Sequence, residues 1–239
     1  MVKPEIERKT RVRHVVLAQD RVIRRRDLTR PQILKTALEI IDELGLDQCT
    51  MQTLATRLNV TSRALYRHFA DKEELLRGVA DLVLADIVLP NENQPWQDQL
   101  RQIGLELKRV LDNHPQVTPL CARRASVFPG VIPIADSAVR AAEQAGISPQ
   151  TAIRFAHAVT NYTIGFSLVV TNYLLQDPSS QTADPFDNID LPRVPYAASQ
   201  ADFLRDFANS GDFASLNQYL FGLSLMVDGL QAAVLTDPS

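Results

Sequence analysis

Apolar side chains along this chain recur at alternating steps of three and four residues, with no one-by-one alternation bounded by turn signals, so the pattern predicts helices throughout and an all-α fold. The first helix carries its own punctuation. Thr29 and Gln32 form a T-x-x-Q capping box, Pro31 sits in the first turn, Leu34, Ala37, Leu38 and Ile41 make the stripe, and Gly45 is the stop. Thr50 then caps a short second helix through Leu58, "NVT" turns the chain, Thr61 caps a third through Phe69, and Asp71 with Glu74 opens a fourth running to about Leu89. After the polar break "PNENQP" the pattern predicts helices over roughly residues 95–113, 116–126, 130–145, 149–176 and 212–235, with a weaker one near 199–209. Residues 177–198 carry four prolines and four aspartates without helical period and read as a long loop. Residues 1–28 lack an apolar face wide enough to bury and read as an arm, with room for a helical stretch near Arg11 to Asp20.

Two short helices joined by a tight turn after a longer one match the helix-turn-helix pattern, with Leu54, Ala55, Leu58, Val60 and Leu65 filling a small interior. On the third helix, with Leu65 and Phe69 taken as inward at 100° per residue, Arg63, Ala64 and Arg67 point outward and Tyr66 and His68 flank them. Such a helix suits the major groove: arginine pairs with guanine edges, an alanine methyl meets the thymine methyl, and hydroxyls reach phosphates. By chemistry, Thr50, Tyr66, His68 and Lys72 fit phosphate positioning, while Gln52, Ser62, Arg63 and Arg67 fit base reading. Taken alone, Tyr66 and His68 read first as packing residues, and Lys72 as a solvated lysine at an unfavourable helix start.

The two long C-terminal helices carry seams. Leu216, Leu220, Leu223, Val227, Leu230 and Val234 alternate steps of four and three, as do Ala152, Phe155, Val159, Tyr162, Phe166, Val169 and Tyr173. Phe221, Leu225 and Met226 on one helix, and Ile153, Ile164 and Leu168 on the other, widen the apolar surface, so each helix needs partners on two sides. Doubling the pair makes a four-helix bundle and a homodimer, with Phe155, Val159, Tyr162, Phe166, Leu216, Leu220, Leu223, Val227 and Leu230 at its interface; the core of a monomer would produce the same pattern. Opposite the seam of the first long helix, Ile153, His157, Thr160, Ile164 and Leu168 form an apolar face with two polar handles, the composition of a small-molecule pocket. His157 by itself reads first as a hydrogen-bonded core histidine.

Charge sharpens the division. The whole chain has a net charge of -3, but residues 1–80 hold 16 Lys and Arg against 11 Asp and Glu, and residues 81–239 hold 9 against 17. A basic N-terminal portion on an acidic body fits a phosphate-binding module carried by a different kind of domain. Residues 1–30 alone contain ten Lys and Arg, including Arg24 to Arg26, leaving two readings open: an arm that tracks phosphates, or a solubilising tail. Cys49 and Cys121 are too few for a disulfide framework, and the four histidines form no metal-binding pair. Nucleophile-elbow, dinucleotide and P-loop signatures are missing from the sequence, as are a membrane span and a signal peptide, so a cytoplasmic non-enzyme without cofactor or metal is expected.

The stretch "TMQTLATRLNVTSRALYRHFADKEELL", residues 50–76, resembles the DNA-binding domain of the tetracycline-repressor (TetR) family of bacterial regulators. The resemblance implies operator contacts from Thr50, Met51 and Gln52, then Thr61, Ser62, Arg63, Ala64, Tyr66, Arg67 and His68, and finally Lys72. It also implies a helical body that dimerises and holds an inducer, dividing the chain into an arm (1–28), a DNA-binding domain (29–76) and a ligand-binding and dimerisation domain (77–239). "LELKRVLDNHPQVTPL" and "YTIGFSL" resemble the tetracycline-repressor subgroup's C-terminal domain. Thr118, Pro119 and Leu120, however, stand where its drug-and-magnesium-binding members carry a ligating histidine, which argues against tetracycline with magnesium as the ligand. The expected activity is that of a repressor on a palindromic DNA operator, released by a small-molecule inducer. A ligand-independent regulator or activator is the competing reading, and a helical-bundle enzyme would need convergent acids, bases or ligands that the sequence lacks.

Overall fold

The structure, a computed structural model, describes residues 28–123, 129–175 and 190–236. Among these there is no strand. The basic arm, residues 1–27, lies outside the described residues, as do 124–126 of the expected sixth helix and 177–189 of the expected loop.

Helix α1 (Arg30–Leu44) begins at the expected capping box: the Gln32 amide donates to Thr29 Oγ1, and the Gln32 side chain accepts from the Thr29 amide. It ends at Gly45, whose φ of 90° favours glycine. Helix α2 (Met51–Arg57) is capped by Thr50 Oγ1, which accepts from the Thr53 amide at 3.0 Å. The turn to α3 (Ser62–Leu65) places Asn59 at φ 53°, a left-handed position asparagine tolerates. Two expectations fail here. Thr61 makes no side-chain cap, and the helix ends at Leu65, after which Tyr66 to His68 continue as a turn in which the His68 and Phe69 amides both donate to the Leu65 carbonyl.

Helix α4 (Lys72–Leu84) has the Asp71 carboxylate accepting the Glu74 amide at 2.7 Å. It stops short of Leu89 because α5 (Trp96–Asn113) takes its backbone groups. Arg109 donates to the Asp86 carbonyl at 2.9 Å, and the Val88 amide donates to Glu106 at 3.3 Å. Pro90 also biases residue 89 away from helix. Helices α6 (Thr118–Arg123), α7 (Ile132–Glu143) and α8 (Pro149–Leu175) follow. Within the expected loop lies an unforeseen short helix, α9 (Pro195–Ser199), started by a proline at its first position, ahead of α10 (Ala201–Ser210) and α11 (Leu216–Thr236).

Two apolar cores result. The larger joins α1 to α4 with one face of α5, α6 and α8, through residues such as Ile40, Leu65 and Phe69 on one side and Leu111, Val117 and Ile164 on the other. The second fills the space between α5, α7, α8 and α11 around Leu100, Ala138, Ala152 and Val227. Because the first core runs without interruption from the helix-turn-helix into the body, the expected boundary at 76/77 falls inside α4, which belongs to both units.

The apolar seams expected between two chains pack inside one. Val159, Leu223, Val227 and Leu230 are buried within the protomer, Phe155, Tyr162, Phe166 and Leu220 are partly buried in it, and Leu216 alone of that set is exposed. The seams are real, but α5 and α8 cover α11. Their centre is a polar knot: Tyr219, fully buried, lies 2.7 Å from the Gly104 carbonyl and 2.8 Å from Thr163 Oγ1, and its ring stacks on Tyr162 at 5.3 Å.

Candidate nucleic-acid interface and ligand cavity

The N-terminal ends of α2 and α3 converge on one surface. Gln52, Thr61, Arg63, Tyr66 and Arg67 are exposed there, with Thr50, Ser62, His68 and Lys72 half-buried around them. Ser62 Oγ donates to Gln52 Oε1 at 2.9 Å, tying the two helix starts together and leaving the Gln52 NH2 hydrogens free. Two expected contact residues turn inward instead. Ala64 is 4% exposed, so its methyl cannot meet a thymine, and Met51 is 8% exposed in the core. The wheel built on Leu65 and Phe69 assumed one continuous α-helix; with α geometry ending at Leu65, the inward direction falls between Ala64 and Leu65.

A cation that composition assigned to the basic arm does other work. Arg30 donates to the His68 carbonyl and to Glu74 Oε1 (2.9 Å), and its guanidinium lies 4.1 Å from the centre of the Phe69 ring. Glu74 Oε2 also accepts the Ala70 amide at 2.6 Å. That backbone bond first, and the Arg30 bond second, hold the Glu74 carboxyl below its ordinary range. The start of α1, the end of the α3 turn and the start of α4 are thereby fixed to one another. Only a contact 38 residues away in sequence reveals this role, so the local pattern carried no signal for it.

In the body, an apolar cavity of about 220 Å³ opens between α4, α5, α7 and α8. Four of the five expected pocket residues line it: Ile153, His157, Thr160 and Ile164. The fifth, Leu168, packs against the larger core instead. Phe155 and Val159, expected at a dimer interface, are cavity walls. Leu84 of α4, Cys121 of α6 and Val131 before α7 complete a lining that the α8 periodicity could not name. Burial pushes the Cys121 thiol up to about 12, so it stays protonated and inert. Gly130, beside Val131, donates its amide to Asp81 Oδ1 at 3.1 Å, and a Cβ there would lie 3.2 Å from the Asp81 carbonyl oxygen and from Leu84 Cβ. The cavity wall therefore rests directly on α4. A second bridge joins the halves where His114 Nδ1 meets Asp42 Oδ2 at 2.8 Å.

Residues 33–79 match the family model described as bacterial regulatory proteins, tetR family, and residues 89–234 the tetracyclin repressor-like C-terminal domain. An HTH-type transcriptional regulator of Saccharopolyspora erythraea is 28% identical over 206 residues, covering 86% of this chain and 85% of that one. The fold is similar to apo ActR from Streptomyces coelicolor, with a TM-score of 0.73 at 23% identity over 87% of this chain and 98% of that chain. It is also similar to BioQ, known from Mycobacterium smegmatis, solved with its double-stranded DNA operator (TM-score 0.61, 28% identity, 86% of this chain and 99% of that one).

Proposed function

Because the chain belongs to the TetR family of bacterial regulatory proteins, and is a DNA-binding transcriptional regulator and not an enzyme, we propose that it acts in the cytoplasm as a homodimeric repressor. Two copies grip a pseudo-palindromic operator and release it when a small molecule fills the cavity. The observation that carries the reading is α4 itself, which starts at Lys72, one of the residues we assign to the operator, and ends at Leu84 in the cavity wall. Twelve residue steps separate them, about 18 Å of helix. A tilt of about 10° pivoting at Leu84 would move the Lys72 end by roughly 3 Å, enough to spoil the fit of two readers to major grooves about 34 Å apart. Ligand would then shift the population toward the mismatched dimer.

The second copy sits on the outer faces of α8 and α11. Val169, Phe221 and Leu225 are 53%, 61% and 58% exposed, and Gly165 and Gly229 share those faces. A Cβ at either glycine would meet nothing within 4 Å in the protomer. Glycine inside a helix costs about 1 kcal/mol relative to alanine, so open space around it points to backbone approach from outside the chain.

Selection of bound sequences from random DNA, followed by titration of the selected duplex and of scrambled DNA, tests the reading. Arg63→Ala should reduce discrimination between the two duplexes, while Lys72→Ala should weaken both alike. A monomeric protein with no preference for two-fold symmetric sites would refute it.

A further inference from the structure

The polar groups of the cavity define the chemistry of its occupant. A cavity of about 150 Å³ lined by apolar side chains takes up benzene, so about 220 Å³ here accommodates a body of two fused rings. The lining presents no Asp, Glu, Lys or Arg, and one imidazole with a protonated thiol is too few donors for a metal chelate. An ionised group carried inside would be left unpaired, at a cost of several kcal/mol.

Two polar side chains, three apart on α8, complete the description. Thr160 Oγ1 donates its hydrogen to the Ala156 carbonyl at 2.8 Å, so toward the cavity it offers only lone pairs. His157 Nδ1 lies 3.2 Å from Asn161 Nδ2, and because an amide nitrogen has hydrogens only to give, Nδ1 accepts and Nε2 is left as the ring's donor. Both residues line the cavity, His157 exposed and Thr160 half-buried, and one donor with one acceptor matches a hydroxyl, which can accept from His157 and donate to Thr160. A carboxylate would set its lone pairs against those of Thr160, and an ammonium would face the imidazole N–H.

We propose that the inducer is a neutral, two-ring apolar molecule bearing a hydroxyl, seated with its rings against Phe155 and the α5 and α7 walls and its hydroxyl between His157 and Thr160. This rests on the cavity being the inducer site. A rigid ring body is favoured over a flexible chain because it loses less freedom on confinement.

The test uses the full-length protein and three probes, 2-naphthol, naphthalene and 2-naphthoate, with dissociation constants measured by calorimetry in the absence of DNA. 2-Naphthol should bind about tenfold more tightly than naphthalene and more tightly than 2-naphthoate. His157→Phe and Thr160→Val should each reduce the naphthol-to-naphthalene affinity ratio to near one, whatever each does to naphthalene binding itself, and Thr160→Ser should retain the ratio. Tighter binding of the carboxylate, an unchanged naphthol-to-naphthalene ratio in both variants, or no binding by 2-naphthol would overturn the proposal. Operator release is read separately by fluorescence polarisation. Naphthol that binds through His157 and Thr160 yet leaves DNA bound would refute the release mechanism and not the ligand class.

Discussion

Tyr219→Phe isolates the polar knot where α5, α8 and α11 meet. Three short contacts converge on two hydroxyl hydrogens: Tyr219 to Gly104 O (2.7 Å), Thr163 to Val159 O (2.8 Å), and the 2.8 Å approach between the hydroxyls themselves. Burial pushes the Tyr219 phenol well above its ordinary range, so it remains a donor even in alkali. The substitution keeps the ring stacked on Tyr162 and edge-on to Phe166 and removes only the hydroxyl. Thr163 can then fall back on Val159, and Gly104 O remains within the α5 ladder, so no buried atom is stranded and the loss belongs at the low end of the hydrogen-bond range, about 1 kcal/mol. Thr163→Val leaves the Tyr219–Gly104 bond in place and should cost less, about 0.5 kcal/mol. The double variant should lie close to Tyr219→Phe alone, giving a coupling of about 0.5 kcal/mol. Urea unfolding followed by circular dichroism measures this, with all variants at one protein concentration because dimer stability depends on it. A neutral Tyr219→Phe, or a Thr163→Val that costs more than it does, would refute the assigned direction of donation.

Gly222→Ala would drive a Cβ into Tyr162 Oη, displacing the hydroxyl that donates to the Tyr219 carbonyl, and should destabilise by about 1–3 kcal/mol in the same assay. Gly165→Ala, with open space in the protomer, should instead raise the dimer dissociation constant in sedimentation; a simple gain in thermal stability with unchanged association would argue against the α8 interface. Ser62→Ala should broaden base preference at the same operator position as Gln52→Ala while leaving the salt dependence of binding unchanged, and effects at two separate positions would sink the idea that the pair reads as a unit. Glu74, held below its ordinary value of 4.5, supports the fold above that pH and loses the contribution as pH falls through its folded value. Melting curves of Glu74→Gln and the unsubstituted protein should therefore converge in acid, and a gap that persists there would contradict the linkage.

Capping residues and three-to-four periodicity were enough to place nearly every described helix, because caps and stripes are local: Thr29, Gln32 and Gly45 act within one turn of their own backbone. The exposed polar surface of α3 was legible for the same reason, since Arg63, Tyr66 and Arg67 are polar groups on a short helix with an obvious apolar side. Ala64 was misplaced because side-chain direction on a four-residue helix depends on where the helix stops, which packing decides, and Met51, assigned to the operator by the resemblance alone, is drawn into the core. The seams on α8 and α11 show the larger limit. Heptad spacing states that a face is apolar and straight; it does not state whether α5 of the same chain or a second copy covers it. Arg30 is a comparable case, a basic residue in a basic run whose charge is drawn inward by Glu74 and the Phe69 ring. Sequence alone thus determined the helices, the polar surface of the reader and one wall of the cavity, each written within a few turns of chain. Tertiary structure decided which apolar face meets which partner and how the cavity rests on α4, because those depend on contacts between residues dozens of positions apart that no local period encodes.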